Sequence, residues 1–541
     1  MLDKYEERQL FEALTRWNYF PNQKEGVGEI PSCFSTCQFT PEVAKRLADL
    51  EQGKNRKTYG YDHVEYFVTR YNNVSRLLAL LHPMPYARLA CEVVKNWEYI
   101  KHVENNHHSL IKPEIHQDGR ILVMNYESVE VKASRALNDG FGKRYRAHSD
   151  ISNCFHSIYT HAIPWALVGF VKAKRDRGAK LWFNKLDACQ RSVKRNETQG
   201  IPIGPAVSSI MAEVILGKID AKLVEKGFEF RRYIDDYTCY CSTYDKAQAF
   251  IHCLNQELSL YKLNINIHKT RIDELPKTMS DDWVVELSAL LPKGDINEAG
   301  VSQIGAVESR SFIDAALKLK GQTPDGSVLK YAVGIIIHKI KDEAVQPFLV
   351  YLLNLSWHYP LLLPYLEQLL DHETIEPTNY ESQLNSIIAE NAKHNRSDGM
   401  VWPLYYIKKH DLSVSVEAYA ETLKSKDCMG LLSLYATGQL TAHIVDFAYN
   451  LMCATDYEKD QYWLLLYQLY FDGKVPNPYD DKCFEVLKKE KVNFMPSKEE
   501  ADDIQMKCET IKAQLLFSEV FEDVSQPVLT DNVEPPEGSE T

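Results

Sequence analysis

Two adjacent aspartates in the stretch RRYIDDYTCY (residues 231–240) are the first candidates for chemistry in this chain. An isolated Asp-Asp pair is usually a solvated turn, but Asp235 and Asp236 lie between short aromatic runs. A third carboxylate, Asp150, ends a predicted strand 85 residues upstream. Three converging carboxylates can hold two Mg²⁺ ions, with Mn²⁺ as the alternative. Such a pair of ions activates an attacking hydroxyl and stabilises the leaving oxygen in phosphoryl transfer.

Three further features occur in a fixed order around these acids. The stretch ETQGIPIGPAVSSIMAEVIL (197–216) joins a loop rich in glycine and proline to a helix, where free backbone N–H groups can meet a nucleotide. Lys269 ends a predicted strand, where it could neutralise or protonate a leaving pyrophosphate. Phe155 follows Asp150 by five residues, at the place of a bound sugar. Each feature alone also fits a turn, a surface lysine or a core aromatic residue.

The elements that must position these residues are strands alternating with long helices. The sequence predicts strands at 121–131, 147–155 and 263–272, a hairpin at 228–242, and helices at 207–227 and 246–263. Beyond about residue 300 the pattern changes to short apolar helices with almost no strand signal. We therefore expect an α+β region followed by an all-α region, either a helical-repeat (HEAT-like) solenoid or an irregular bundle.

Charge is distributed unevenly along the chain. Residues 1–280 carry 40 Lys and Arg against 33 Asp and Glu, whereas the whole chain has a net charge of −13. The remainder is therefore strongly acidic, at −20. The densest basic stretch is 131–200, with 14 basic and 5 acidic residues. This stretch is a candidate nucleic-acid face, although a solvated surface explains the charge equally well.

In this order and spacing, the features resemble the palm motifs of reverse transcriptases. DISNCF (150–155) is similar to the first motif, QGIPIGPAVS (199–208) to the second, YIDD (233–236) to the third and LNINIHKT (263–270) to the fourth. The resemblance covers about residues 60–280 and implies a right-hand polymerase with fingers and palm. It implies dNTPs as substrates and two metal ions as cofactors.

The resemblance also implies individual roles. Asp150, Asp235 and Asp236, with the backbone carbonyl of Ile151, would hold metal, and Lys269 would act on the leaving pyrophosphate. Phe155 would exclude a ribose 2′-OH, and Gln199 and Gly200 would line the nucleotide site. The triphosphate candidates are Lys132 and Arg135; the candidates for contact with nucleic acid are Lys143, Arg144, Arg146, Tyr233, Arg231 and Arg232.

A palm followed by a long acidic helical region resembles the abortive-infection and defence-associated reverse transcriptases of bacteria, the AbiK/Abi-P2 group. That resemblance implies an anti-phage role and DNA synthesis that is untemplated or directed by RNA, such as a dedicated noncoding RNA. It also implies a single-stranded DNA product, priming from a protein hydroxyl and a homo-oligomer. The alternatives are a retron- or intron-type templated enzyme, an RNA polymerase or terminal transferase on the same palm, and a relic palm acting as an RNA-binding scaffold.

The expected domain organisation has four parts: a helical N-terminal extension (1–60), fingers and palm (61–290), a helical-repeat domain (300–524) and a disordered acidic tail (525–541). The N-terminal stretch carries acids and has no apolar segment of a signal peptide. No apolar run reaches the length of a membrane span. The 12 scattered cysteines fit reduced thiols, so we expect a cytoplasmic protein without membrane partners.

Overall fold

The computed structural model describes residues 4–21, 27–70, 72–124, 129–278, 281–296, 302–324 and 326–524. The acidic tail predicted at 525–541 lies outside these residues. Two kinds of region are present: a small antiparallel sheet with its helices, and a long run of helices that follows it. The fold is therefore α+β, which confirms the predicted class.

The N-terminal part contains three helices and a β-hairpin. The hairpin strands are antiparallel, with His63 paired to Leu81 and Thr69 to Ser75 at its two ends. These elements are α1 (Lys4–Glu12), which runs into a π-helical turn (Ala13–Trp17), α2 (Pro41–Asp49), α3 (Lys54–Tyr59), β1 (His63–Thr69) and β2 (Ser75–Leu81). Helix α2 begins where sequence chemistry places it, because the Thr40 hydroxyl accepts the Val43 N–H and Pro41 starts the helix.

The central sheet has four antiparallel strands in the order β4-β5-β3-β6. Its strands are β3 (Tyr145–Asp150), β4 (Phe230–Tyr233), β5 (Asp236–Cys241) and β6 (Arg271–Glu274). Around it lie α4 (Pro83–Lys95), α5 (Trp97–Ile100), α6 (Val129–Gly140), α7 (Cys154–Ser157), α8 (Ala162–Val168), α9 (Phe170–Arg175), α10 (Trp182–Ser192), α11 (Ala206–Glu225) and α12 (Tyr244–Leu260). The predicted hairpin and the two long helices α11 and α12 are confirmed.

The C-terminal part is helical, as predicted, apart from one pair of two-residue strands. Neighbouring helices pack on one another, for example Glu381–Lys393 on Ser397–Lys409 and Ala306–Gln322 on Val328–Ile336. The repeat architecture itself stays a prediction. The elements are α13 (Asp282–Ala289), β7 (Asp295–Ile296), β8 (Ser302–Gln303), α14 (Ala306–Gln322), α15 (Val328–Ile336), α16 (Asp342–His358), α17 (Leu366–Leu370), α18 (Glu381–Lys393), α19 (Ser397–Lys409), α20 (Val416–Ser425), α21 (Cys428–Ala436), α22 (Ala442–Met452), α23 (Asp456–Asp460), α24 (Trp463–Phe471), α25 (Cys483–Lys489) and α26 (Lys498–Val524).

The C-terminal helices pack directly against the N-terminal hairpin and its helices. Asp398 accepts hydrogen bonds from the backbone N–H and the hydroxyl of Thr69, at 2.7 and 2.9 Å. The Trp463 indole donates to the Leu80 carbonyl at 2.9 Å. The rings of Phe20 and Phe494 stack at 5.4 Å. The two halves of the chain therefore share one continuous apolar core.

Three strand predictions were wrong in part. The strand predicted at 147–155 ends at Asp150, and Cys154 already begins helix α7. Within 121–131, residues 129–131 begin helix α6, which packs on β5. Both edges of β5 are paired, by β3 and β4, so α6 packs on β5 as a helix and does not add a strand to it. Residues 125–128 of this prediction lie outside the described residues. In 263–272 only the end, from Arg271, belongs to a strand, and Ile267–Lys269 is a 3₁₀ turn.

Among the described residues, no helix combines the length and apolar character needed to cross a membrane.

Candidate active site

The turn between β4 and β5 presents Asp235 and Asp236. Tyr233 and Asp236 are the last paired residues, so Ile234 and Asp235 form a two-residue connection. Ile234 has a φ of +58°, which is rare for a β-branched side chain because its Cβ crowds the backbone. Its carbonyl accepts a hydrogen bond from the Arg232 guanidinium at 2.9 Å. A strained turn is thus held in place by a neighbouring side chain.

Arg232 lies beneath this turn and is fully buried. Its guanidinium donates to Glu213 at 2.7 and 2.8 Å and to Asp220 at 2.9 Å, both on α11. The prediction that Arg232 contacts nucleic acid is therefore wrong, because no ligand can reach it. Arg231 points the other way and pairs with Asp139 at 2.9 and 3.0 Å.

The three predicted acids come together at one end of the sheet. Asp150, the last residue of β3, lies directly opposite Asp236, the first residue of β5. The side chains of Asp150, Asp235 and Asp236 each offer an oxygen, and these oxygens lie within 4.8 Å of one another. Like charges placed opposite each other on neighbouring strands are destabilising, so the cluster favours a bound cation.

The electrostatics of the acids agree with this interpretation. Burial raises the pKa of Asp235, and the neighbouring Asp150 carboxylate adds to that effect. Burial, followed by Asp235 and Asp150, raises the pKa of Asp236 to about 7. Two carboxyls that resist ionisation at one place are typical of a functional site.

Lys269 supplies a cation to this cluster. Its ammonium donates to the Asp150 carboxylate at 2.8 Å, and this hydrogen bond raises the lysine pKa. The side chain starts from the 3₁₀ turn rather than from the predicted strand end. The Asn266 N–H anchors this turn by donating to the Asp150 carbonyl at 2.7 Å.

Two of the acids, Asp150 and Asp235, line a cavity of about 770 Å³. Phe155 lines it from α7, together with Asp150, Ile151, Asp235 and Lys269. Its ring is largely buried, and the left-handed Asn153 (φ +51°) turns the chain from β3 into α7. The structure thus brings Phe155 to the same cavity as the acids. Tyr233 also lines this cavity.

Gln199 and Gly200 lie beside α7 rather than among the residues that line the cavity. The Gln199 side-chain amide donates to the carbonyls of His156 and Ser157, at 3.2 and 3.1 Å. The Gly200 N–H donates to the Ile158 carbonyl at 2.7 Å. Gly200 has a φ of +78°, and a Cβ there would lie 3.0 Å from the His156 carbonyl oxygen. The glycine loop therefore fixes the helix that carries Phe155.

The basic residues predicted to meet phosphates lie at the other end of the sheet. Arg135 and Lys132 lie on α6, and Arg135 is close to Tyr240 of β5. Tyr240 is four residues along β5 from Asp236, so these two residues are about 13 Å apart. At the start of β3, Arg146 pairs with Asp273 at 2.9 Å. The other members of this group, also at the start of β3, are Lys143 and Arg144. The structure does not bring these five residues to the acids, because they sit on α6 or where β3 begins, whereas Asp150 is where β3 ends.

Other cations, which sequence reasoning missed, line the cavity instead. Arg70 and Arg76 reach it from the β1–β2 hairpin, and Lys330 reaches it from α15. Arg76 is close enough to Asp235 to oppose the rise of its pKa. Arginines at the tip of a hairpin carry no local signal of function. Only the tertiary structure, in which hairpin residues and two of the acids line one cavity, identifies these residues.

A four-stranded antiparallel sheet with helices beside it, and with three carboxylates where its central strands end, is the palm of a nucleotidyl-transferring polymerase. The family model described as "Reverse transcriptase (RNA-dependent DNA polymerase)" matches residues 91–280. This match covers about a third of the chain and agrees with the palm geometry.

Solved telomerase structures are among those similar to this chain. Apo telomerase from Candida tropicalis truncated from its C-terminal domain is 11% identical, with a TM-score of 0.28, over 44% of this chain and 55% of that one. Apo telomerase from the same organism is 12% identical, with a TM-score of 0.29, over 71% of this chain and 69% of that one. Telomerase from Candida albicans with a TWJ fragment of telomeric RNA is 11% identical, with a TM-score of 0.27, over 74% of this chain and 67% of that one.

The chain thus spans about half the length of the first of these telomerases. A search of curated proteins found no match. The assignment of the fold rests on the family match and on the palm geometry.

Proposed function

We propose that this protein is an RNA-directed or untemplated DNA polymerase that joins deoxynucleotides by two-metal nucleotidyl transfer. One observation carries the proposal: the carboxylate that ends β3 meets the two carboxylates of the β4–β5 turn within 4.8 Å, beside a cavity that Asp150, Asp235, Phe155 and Lys269 line. A solvated turn gives no reason for the distant Asp150 to join Asp235 and Asp236.

The acids fit a pair of Mg²⁺ or Mn²⁺ ions. Their oxygens are the hard ligands that these ions prefer, and the bond from the Lys269 ammonium to Asp150 marks a position where positive charge is stabilised. Asp150, Asp235 and Asp236, with the Ile151 carbonyl, would hold the ions. When bound, two such ions activate an attacking hydroxyl and stabilise the leaving oxygen.

Cationic side chains of this chain would bind the triphosphate. In the proposed mechanism Arg70 and Arg76 bind the phosphates from the hairpin side, since both line the cavity. Lys269 lies at the acids, so it can stabilise or protonate the leaving pyrophosphate there. Lys132 and Arg135 remain sequence-based candidates for this role, far from the acids.

The test of the activity is incorporation of labelled dNTPs by the purified full-length chain with Mg²⁺. The Asp235→Asn variant should lose at least about a thousandfold in rate, because metal ions at such sites stabilise several kcal/mol of transition-state charge. Asp245→Asn, an exposed aspartate at the start of α12, is the matched control and should keep full activity. Incorporation by Asp235→Asn at more than a tenth of the normal rate would refute the proposal.

Phe155 is proposed to select the sugar. Phe155 lines the cavity together with Asp150 and Asp235, where its ring would clash with a 2′-OH, so Phe155→Ala should raise the use of ribonucleotides relative to deoxynucleotides by about tenfold or more. The measurement is kcat/KM for dATP and for ATP with each variant. If the ratio does not change, an RNA polymerase or terminal transferase on the same palm becomes the better interpretation.

We further propose a role in bacterial anti-phage defence, in the cytoplasm, with protein priming, a single-stranded DNA product and a homo-oligomeric assembly. The support is the sequence resemblance, together with an acidic helical region that would repel a long duplex. C-terminal Lys330, Pro364 and Trp402 line the catalytic cavity, which gives that region a place in substrate binding.

Purification from the host, followed by sequencing of co-purified RNA and of covalently attached DNA, tests these points. A single RNA species would identify a dedicated template, whereas attached DNA without RNA would support untemplated, protein-primed synthesis. A retron- or intron-type enzyme predicts RNA-templated DNA that is not attached to protein.

A further inference from the structure

The loop that joins α8 to α10 carries an exposed basic surface. Residues 169–181 (GFVKAKRDRGAKL), which we call the basic loop, contain five basic residues and one acidic residue. The charged side chains stand on α9 and on the turn that follows it, and four of the five cations form the outer face: Lys172, Lys174, Arg177 and Lys180, all exposed. None of them lines the catalytic cavity.

Most other cations in the basic stretch 131–200 pair with carboxylates of the protein. Arg146 pairs with Asp273, Lys185 with Glu92, and Arg195 with Asp62. In the part of the chain that the structure describes, Lys172, Lys174, Arg177 and Lys180 form no ion pair with a carboxylate. The structure thus separates the structural cations of this stretch from a group directed at solvent.

The basic loop has a defined shape. The Asn184 side chain donates to the carbonyls of Asp176 and Gly178, at 2.9 and 3.0 Å. The Arg177 guanidinium donates to the Lys174 carbonyl at 2.9 Å. Because the backbone is held by these bonds, little ordering is needed when a ligand binds.

Apolar surface is interleaved with the charges. Phe170 is 55% exposed and Val171 is 78% exposed, next to the lysines. The Lys174 ammonium lies 5.4 Å from the centre of the Phe170 ring. Nearby on the chain, Trp182 at the start of α10 stacks on the exposed Tyr99, with ring centres 4.6 Å apart. Cations set among exposed aromatic faces suit a nucleic acid, which offers phosphates and bases together.

We propose that the basic loop is a second nucleic-acid site, outside the catalytic cavity, that binds the phosphate backbone of an RNA. The proposal deepens the proposed function and rests on it for the source of the RNA, which is either the template strand or a separately bound RNA. Because the chain has a net charge of −13, binding of RNA depends on local basic surfaces such as this one.

The test measures binding of a fluorescent stem-loop RNA to the full chain, without metal or dNTP, over a series of salt concentrations. The variant Lys172→Gln, Lys174→Gln, Lys180→Gln should bind about tenfold or more weakly at ~0.1 M salt. Its plot of log K against log salt should be less steep by about 2 to 3, since each lost phosphate contact removes roughly 0.7 to 0.9 from the slope. The matched control, Lys318→Gln, Lys474→Gln, Lys489→Gln, removes the same charge from exposed lysines of the C-terminal part and should bind like the unmodified chain.

Single-nucleotide incorporation on a primed template distinguishes the two sources of RNA. A higher template KM with unchanged kcat would identify the template strand, and unchanged kinetics with lost stem-loop binding would identify a separate RNA. Equal affinity and equal salt slope in the triple variant and the unmodified chain would overturn the proposal. So would unchanged RNA binding combined with lost sedimentation on phosphatidylserine vesicles, which would make the loop a lipid-binding surface. If the unmodified chain incorporates no dNTP but the triple variant still loses RNA binding, the RNA site is supported and only the polymerase activity is refuted.

Discussion

Replacing Arg232 by Met removes the one guanidinium that Glu213 and Asp220 share beneath the catalytic turn. The pair of carboxylates would stay buried without a cation, because Arg232 is 0% exposed and no solvent reaches the site. Breaking a buried ion pair by removing one partner costs about 3–5 kcal/mol. The Ile234 carbonyl also loses its hydrogen bond, so the strained turn that carries Asp235 should relax.

The assay is amide hydrogen exchange of strands β4 and β5. A loss of about 3–5 kcal/mol in the free energy of opening corresponds to exchange faster by roughly a hundredfold to several thousandfold. Incorporation of dNTPs should fall by about a hundredfold, the usual effect of a small misplacement of catalytic groups.

Two further variants decide whether buried charge is the cause. Arg231→Met is the control, because Arg231 forms a partly exposed pair with Asp139 that contributes at most about 1 kcal/mol. Adding Glu213→Gln and Asp220→Asn to Arg232→Met should recover most of the protection, since no charge is then left buried. Exchange within threefold of the unmodified chain for Arg232→Met, or no recovery in the triple variant, would refute the reasoning.

Two more predictions concern the glycine loop and the link between the halves of the chain. Gly200→Ala should destabilise the fold more than Gly227→Ala in chemical denaturation. Both glycines have φ near +78°, where an alanine costs about 1–2 kcal/mol, but only at Gly200 does a carbonyl oxygen lie 3.0 Å from the added Cβ. Equal losses of stability in the two variants would contradict the effect of this contact. Burial raises the pKa of Asp398 to about 6, so between about pH 4 and pH 6 the folded state keeps a proton that the unfolded state has released. The free energy of unfolding should therefore fall by about 3 kcal/mol as the pH rises from about 4 through 6. Asp398→Asn should remove this part of the pH dependence, and an unchanged profile would show that another group causes it.

Short-range features of the sequence predicted the centre of the site well. The YIDD turn and the helix after the glycine loop depend on neighbouring residues, and both occur where predicted. The strand predicted at 147–155 is present but ends earlier, at Asp150. The segment at 129–131 was misassigned because its alternation extends over only a few residues, and the chain continues from it into helix α6. Lys269 was predicted at a strand end but lies in a 3₁₀ turn. That turn depends on the contact between Asn266 and Asp150, which are far apart in the sequence.

The roles of the basic residues could not be read from the sequence. Arg231 and Arg232 are adjacent and identical in type, yet one lies near the surface with Asp139 and the other is buried with two carboxylates. Proximity along the chain suggested Lys132 and Arg135 for the triphosphate, whereas the cavity receives arginines from a hairpin more than 50 residues earlier. A positive charge interacts mainly with groups within a few ångströms of it, and tertiary packing decides which groups those are.

The sequence by itself determined the α+β class, the three acids and the order of the palm motifs, because each follows from residue type and local spacing. Only the tertiary structure decided which cations face the acids, which stabilise the core and which remain on the basic loop. The same packing made the C-terminal helices part of the catalytic cavity, through Lys330 and Trp402. The physical reason is that burial and electrostatic contact join residues hundreds of positions apart, and no local pattern records those pairings.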